Sequence, residues 1–241
     1  MIWNEEFKMR VHWDDTAECY ISRRAFSPAD NRILELIAEI SPKRLLEIGL
    51  GPALIASNIQ KHYPHIQYFG LDITQAFLDY AKKLLPHPAL IKATALNLPF
   101  KHNSLDCILE MDTIHHVPKE LLGKVIDEIY RAVQPGGLFI LLEDWGKKAE
   151  NEREQIIKEF IEHRHTYRTG MEYHPTDSEW RELLVNAGFS ISHSEHISRQ
   201  LDLDYYEKLE AENSQALFQK LKTVWVKEQP STQMTLLLGK K

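Results

Sequence analysis

Short apolar runs alternate along this chain with stretches whose hydrophobic positions recur every three or four residues. The runs at 44–48, 67–72, 89–94, 105–110 and 137–143 read as strands. Between them, 53–63 and 75–85 carry apolar residues at helical spacing. The best helical pattern covers 119–133, where Leu122, Val125, Ile126, Ile129 and Val133 form one stripe. Such alternation predicts an α/β fold, a mostly parallel sheet with helices on both faces. Residues 138–142 are apolar at every position, as expected of a central strand buried on both sides.

Past residue 143 the rhythm changes. A helix is expected over 149–167, with Ile156, Ile157, Phe160 and Ile161 on one face. Another is expected over 177–187, with Trp180, Leu183 and Leu184 inward and Gly188 closing it just past its end. Strands at 189–196 and 233–238 follow, separated by a helical insertion at about 203–227. No repeat and no linker divides the sequence, so one domain is expected over 1–241. Its core covers about 28–145 and 177–241. The N-terminal segment 1–27 and the insertions at about 146–176 and 200–230 stand outside the core rhythm and are expected to cap a substrate pocket.

Composition narrows the function classes. A chain of 241 residues, 43% hydrophobic, buries an adequate core without disulfides or structural metal. Its two cysteines, Cys19 and Cys107, have no metal-ligand spacing, which suits a reducing compartment and argues against a zinc module. The start lacks the apolar core of a signal peptide, and no run approaches the ~20 residues of a membrane span, so the expected location is the cytoplasm. A formal net charge of −6 makes nucleic acid an improbable partner. His163 and His165 are two apart on a helix pattern and share no face, so no metal is expected.

The chemistry concentrates after the first strand, where Glu47-Ile-Gly49-Leu-Gly51-Pro-Ala53 runs into a helix. Glycines there let the backbone turn tightly and approach a ligand. Pro52 suits the first position of the following helix, whose amide end faces that ligand. The second strand ends in Asp72, 23 residues after Gly49, an acid placed to accept from ribose hydroxyls. Asp72 could instead cap the next helix, a task for which Thr74 competes. A dinucleotide fingerprint needs Gly or Ala at position 54; Leu54 stands there, which disfavours nicotinamide and flavin chemistry.

This loop resembles the E/D-x-G-x-G-x-G segment of the class I S-adenosylmethionine-dependent methyltransferases, small-molecule branch. Leu98-Pro99-Phe100 with 104–109, His115-His116-Val117, Arg131 with Pro135-Gly136-Gly137, and Asn186-Ala187-Gly188-Phe189 resemble further segments of that family, in the same order. The resemblance implies a Rossmann-like seven-stranded, mostly parallel sheet with helices on both faces and helical cap insertions. It implies S-adenosyl-L-methionine as cofactor and a small-molecule methyl acceptor as partner. Gly49 and Gly51 would line the methionine part, with Glu47 at the loop and the amino end. Asp72 would hold the ribose and Ile73 pack on the adenine. Thr94, Ala95 and Leu96 would form the adenine edge, with Glu110 and Met111 beside the sulfonium.

Two positions depart from the family pattern. Ala53 replaces its third glycine, and Thr94 stands where an acid commonly meets the adenine amino group, which loses charge-assisted strength. A silent cofactor-binding protein is therefore one alternative, and an RNA or protein methyltransferase another. No (N/D)PP(Y/F) tetrapeptide follows strand four, and no Pro-Cys nucleophile is in the corresponding loop, so base methylation of those two kinds is not expected. His12, Asp112, His115 and Trp145 are candidates for the acceptor pocket, with His116 expected to be structural. A methyl sulfonium is already activated, so no catalytic residue is assigned. The expected assembly is a monomer or homodimer.

Overall fold

A computed structural model describes residues 13, 17, 18, 20–22, 24–87, 89–144, 149–169, 173–200, 215–225 and 231–241. His12 and Trp145 lie outside the described residues. In chain order the elements are α1 (Pro28–Ile40), β1 (Arg44–Ile48), α2 (Leu54–His62), β2 (Gln67–Asp72), α3 (Gln75–Leu84), β3 (Leu90–Lys92) and β4 (Leu105–Met111). After a 3-10 turn (Ile114–His116) come α4 (Lys119–Ala132), β5 (Val133–Asp144), α5 (Glu152–Thr169) and α6 (Asp177–Ala187). The remainder is β6 (Ser190–Gln200), α7 (Gln215–Trp225) and β7 (Ser231–Lys240).

The strands form one seven-stranded sheet in the order β3-β2-β1-β4-β5-β7-β6. The first five run parallel, while β7 is antiparallel to both its neighbours. Side chains alternate between two cores. Leu45, Cys107, Leu109, Ile140 and Leu142 face the side covered by Ile33 and Ile37 of α1 and Ile55 and Ile59 of α2. Leu46, Ile108, Phe139 and Leu141 face Val125 and Ile129 of α4 and Trp180 of α6. Phe139, Ile140, Leu141 and Leu142 of the apolar run in β5 are fully buried because both faces are covered, and Leu138 at its start is half-buried.

Several boundaries depart from the sequence pattern, each for a local reason. β3 stops at Lys92, since Thr94 Oγ1 accepts the Leu96 amide and turns the chain. α2 begins at Leu54, so Pro52 is not its first residue. Ala53 is its cap residue, held left-handed at φ +58°. α6 matches its expected limits, started by a Thr176–Glu179 capping box and ended by Gly188 at φ +107°. Asp106 accepts the Lys43 and Arg44 amides at 2.7 and 2.9 Å and so pins the start of β1. Among the described residues no helix is long and apolar enough to cross a membrane.

Candidate functional site

Strand order reverses between β1 and β4, and in open α/β sheets a crevice opens beyond the carboxyl ends of the strands at that point. A cavity lies there, about 1260 Å3 including the part open to solvent. Its floor is the bend after β1. The Gly49 amide donates to Leu71 O at 2.7 Å, tying the bend to β2. Gly49 and Gly51 take φ +72° and +47°, values that side chains rarely adopt. A Cβ on Gly49 would fall 2.3 Å from the Thr113 side chain, so the bend passes tightly under the loop after β4.

Asp72 joins the bend to the second strand. Its Oδ2 accepts the Gly51 amide at 3.1 Å and its Oδ1 the Thr74 amide at 2.8 Å. Burial pushes its carboxyl up from the ordinary range, opposed by those amides. Thr74 occupies the cap position of α3, yet its side chain makes no capping bond. Glu47, 4% exposed, accepts the Tyr68 hydroxyl at 2.5 Å. Burial raises its carboxyl to about 8, the Tyr68 bond opposing and the Asp30 and Asp72 charges reinforcing the rise.

Of the residues expected from sequence, Glu47, Gly49, Gly51, Asp72, Ile73, Thr94, Ala95, Leu96, Met111 and Asp112 line this one cavity. Glu110 and His115 are not among its lining residues. The Glu110 carboxylate is fully buried and accepts the Thr113 and Ile114 amides at 2.8 and 3.0 Å, so it builds the turn after β4. Burial and the nearby Glu143 hold its carboxyl well above the ordinary range. His115 turns inward, Nδ1 2.6 Å from Glu143 Oε2, with its ring stacked on His174. His116, expected to be structural, is the histidine that lines the cavity, and its ring meets Trp13 at 5.3 Å. Consecutive residues of a 3-10 turn are about 120° apart, so the two rings stay adjacent, centroids 4.0 Å apart, and only the structure shows which of them reaches the cavity.

Asp112, His115 and Glu143 bring ligand-type atoms within 4.8 Å of one another. Their charges are already met, because Arg199 pairs with Asp112 at 2.7 Å and with Asp144, while His115 is bonded to Glu143. Sequence reasoning missed Trp13, Tyr20, Arg24, Asp30 and Phe77, which also line the cavity. Trp13, Tyr20 and Phe77 touch one another with ring centroids 5.5 to 6.0 Å apart. The available signal was the aromatic and charged character of the segment before α1, which carries no motif.

Residues 46–141, from β1 into β5, match a family described as methyltransferase domain. A demethylmenaquinone methyltransferase of Thermotoga maritima is 30% identical over 112 residues, 46% of this chain and 48% of its own. The chain thus spans about half the length of that relative. Among solved structures, the 4+2 cyclase SpnF superposes with a TM-score of 0.69 at 20% identity, covering 97% of this chain and 94% of that one. Phosphoethanolamine N-methyltransferase 2 of Haemonchus contortus, bound to phosphomonomethylethanolamine and S-adenosylhomocysteine, gives 0.63 at 20% identity, covering 96% and 59%. At such identities the likeness to the solved structures is one of fold. The match over 46–141 covers less than half of the chain, and over that stretch, which carries the bend and its aspartate, the chain is similar to a methyltransferase domain.

Proposed function

We propose that the cavity binds S-adenosylmethionine and that the chain transfers its methyl group to a small organic acceptor. The observation that carries this reading is the two-glycine bend, bonded through the Gly51 amide to Asp72 at the switch point of the sheet. The donor set fits the cofactor. Gly49 and Gly51 offer backbone close to a ligand, Glu47 faces an ammonium, and Asp72 Oδ atoms suit ribose hydroxyls. Ile73, Ala95 and Leu96 offer apolar surface to a purine, and Thr94 one hydroxyl.

The bound sulfonium would supply an activated methyl, transferred as the acceptor's lone pair forms a bond to carbon while the carbon–sulfur bond breaks. The protein's task is alignment and exclusion of water. Met111, Asp112 and His116 line the cavity from the end of β4 and the turn after it, and Trp13 and Tyr20 line it from the N-terminal segment. This mostly apolar, ring-bearing wall fits a small organic acceptor better than an open polymer-binding face. His115 is not part of this lining, and His12 and Trp145 lie outside the described residues.

Calorimetric titration with S-adenosylhomocysteine, followed by mass spectrometry of a metabolite mixture incubated with S-adenosylmethionine, tests the reading. Saturable binding with a product 14 Da heavier than its precursor supports it. No binding heat would sink it. The second reading, binding without methyl transfer, is favoured by Ala53 at its left-handed angle and by a fold neighbour described as a cyclase. Binding with no product across many acceptors would favour that alternative.

A further inference from the structure

Arg24 lines the cavity close to Glu47, yet neither motif nor helix pattern draws attention to it. Its Nη1 donates to Asp30 Oδ2 at 3.0 Å and its Nη2 to Asp30 Oδ1 at 2.6 Å, and Nη1 also donates to the Ala25 carbonyl. A guanidinium has five N–H groups in a fixed fork. Those three bonds leave the Nε–H and one Nη2–H, which share a single edge of the plane. That edge is the one that takes a carboxylate through two parallel bonds.

The fork is also held in place. Asp30 is fully buried at the start of α1, where its carboxylate accepts the Ser27 amide and hydroxyl at 2.7 and 2.5 Å. The arginine side chain keeps 20% of its surface exposed. Among the described lining residues Arg24 is the one Lys or Arg, set among the carboxyl groups of Asp30, Glu47, Asp72 and Asp112. An ion pair removed from water adds little stability over apolar side chains of the same volume. Stability alone therefore does not account for a charged pair at a cavity wall.

Resting on the function proposed above, we infer that Arg24 is a carboxylate-binding fork for the methionyl tail of the cofactor. An amino-acid tail carries an ammonium and a carboxylate on one carbon, so its two holders must be neighbours of opposite charge. Arg24 and Glu47 are that pair: the guanidinium lowers the carboxyl of Glu47 across the cavity. Asp30 acts as the positioning residue. A carboxylic-acid acceptor would present the same chemistry, so binding is measured without acceptor and turnover on carboxylic-acid acceptors is measured separately.

Binding of S-adenosylhomocysteine and of its decarboxylated analogue, which keeps the amine, is measured calorimetrically on the full chain. In the wild type, loss of the ligand's carboxylate should weaken binding about 10- to 100-fold. In Arg24→Met and Arg24→Lys, S-adenosylhomocysteine should weaken by a similar factor and the two ligands should bind within about threefold of each other. The lysine variant retains a cation beside Asp30, thermal unfolding reports whether each variant is folded, and the wild-type ligand comparison needs no variant at all. A ligand gap that persists in both folded variants overturns the inference. So does unchanged S-adenosylhomocysteine affinity together with selective loss of turnover on carboxylic-acid acceptors, which would assign the fork to the acceptor. If the wild type binds neither ligand, the proposed function falls along with the inference; if it binds both equally, only the inference falls.

Discussion

Glu47 offers the sharpest test of how the cavity treats charge. Its carboxyl is raised from 4.5 to about 8 by burial, so below that pH the empty protein holds it neutral, bonded to the Tyr68 hydroxyl. An ammonium placed beside it stabilises the carboxylate, and binding must then release a proton. Each pH unit below about 8 changes apparent affinity by up to tenfold, or about 1.36 kcal/mol. Affinity for S-adenosylhomocysteine should therefore rise up to about a hundredfold from pH 6 to pH 8. Above that the ligand's own amine, with an ordinary pKa of roughly 7.7–8.0, loses its proton and affinity should fall again. Calorimetry at pH 7 in two buffers of different ionisation heat reads the released proton directly. Glu47→Gln keeps the shape and an acceptor for Tyr68 but should lose the rise between pH 6 and 8. Wild-type affinity that is flat or falling between pH 6 and 7.5 would refute the reasoning. Stability runs the opposite way with pH. The folded state holds this proton more tightly than the unfolded chain, so the benefit is fully present below pH 4.5 and is lost as pH rises through about 8. The wild-type melting temperature should decline over that window relative to the glutamine variant.

Other expectations follow from the packing. Gly49→Ala forces a left-handed angle costing about 1–2 kcal/mol and drives a methyl into Thr113, so cofactor affinity should drop at least about tenfold; affinity within about twofold of wild type would show that the bend does not face the ligand. Trp180→Ala empties a fully buried site between α6 and the sheet and should cost about 3–5 kcal/mol. A scanning calorimeter should then record a fall in melting temperature of roughly 6–20 °C for a chain of this length. Asp106→Asn weakens the two amide bonds at the start of β1 and should lower urea-unfolding stability by about 1–2 kcal/mol without changing cofactor affinity.

Much of this arrangement was legible because periodicity reports burial. The run at 138–142 reads as a strand covered on both faces, and Phe139 and Ile140 do pack on opposite cores. The bend after β1 was legible because glycines at two-residue spacing, followed later by an acid, leave few other physical reasons for their presence. What could not be read was direction. Neither sequence nor spacing says that His115 turns inward to Glu143 while His116 turns to the cavity, since a turn of three residues has no repeat to reveal its faces. Glu110 deceives for a similar reason: an acid ending a strand suggests a ligand, but its oxygen is taken by two amides of its own turn. Arg24 and Trp13 were illegible because they approach from a segment distant in sequence, and nothing local encodes that approach.

The placement of β7 between β5 and β6 has a consequence for synthesis on the ribosome. The five parallel strands, and with them the bend and Asp72, can pair in the order in which they emerge. β6 emerges with no neighbour, because the strand it must join begins some thirty residues later. At roughly 5–20 residues per second, the flank of β5 stays bare for seconds in every nascent chain. That interval, more than the finished molecule, is when this protein is most exposed to sticking to its copies and to capture by chaperones.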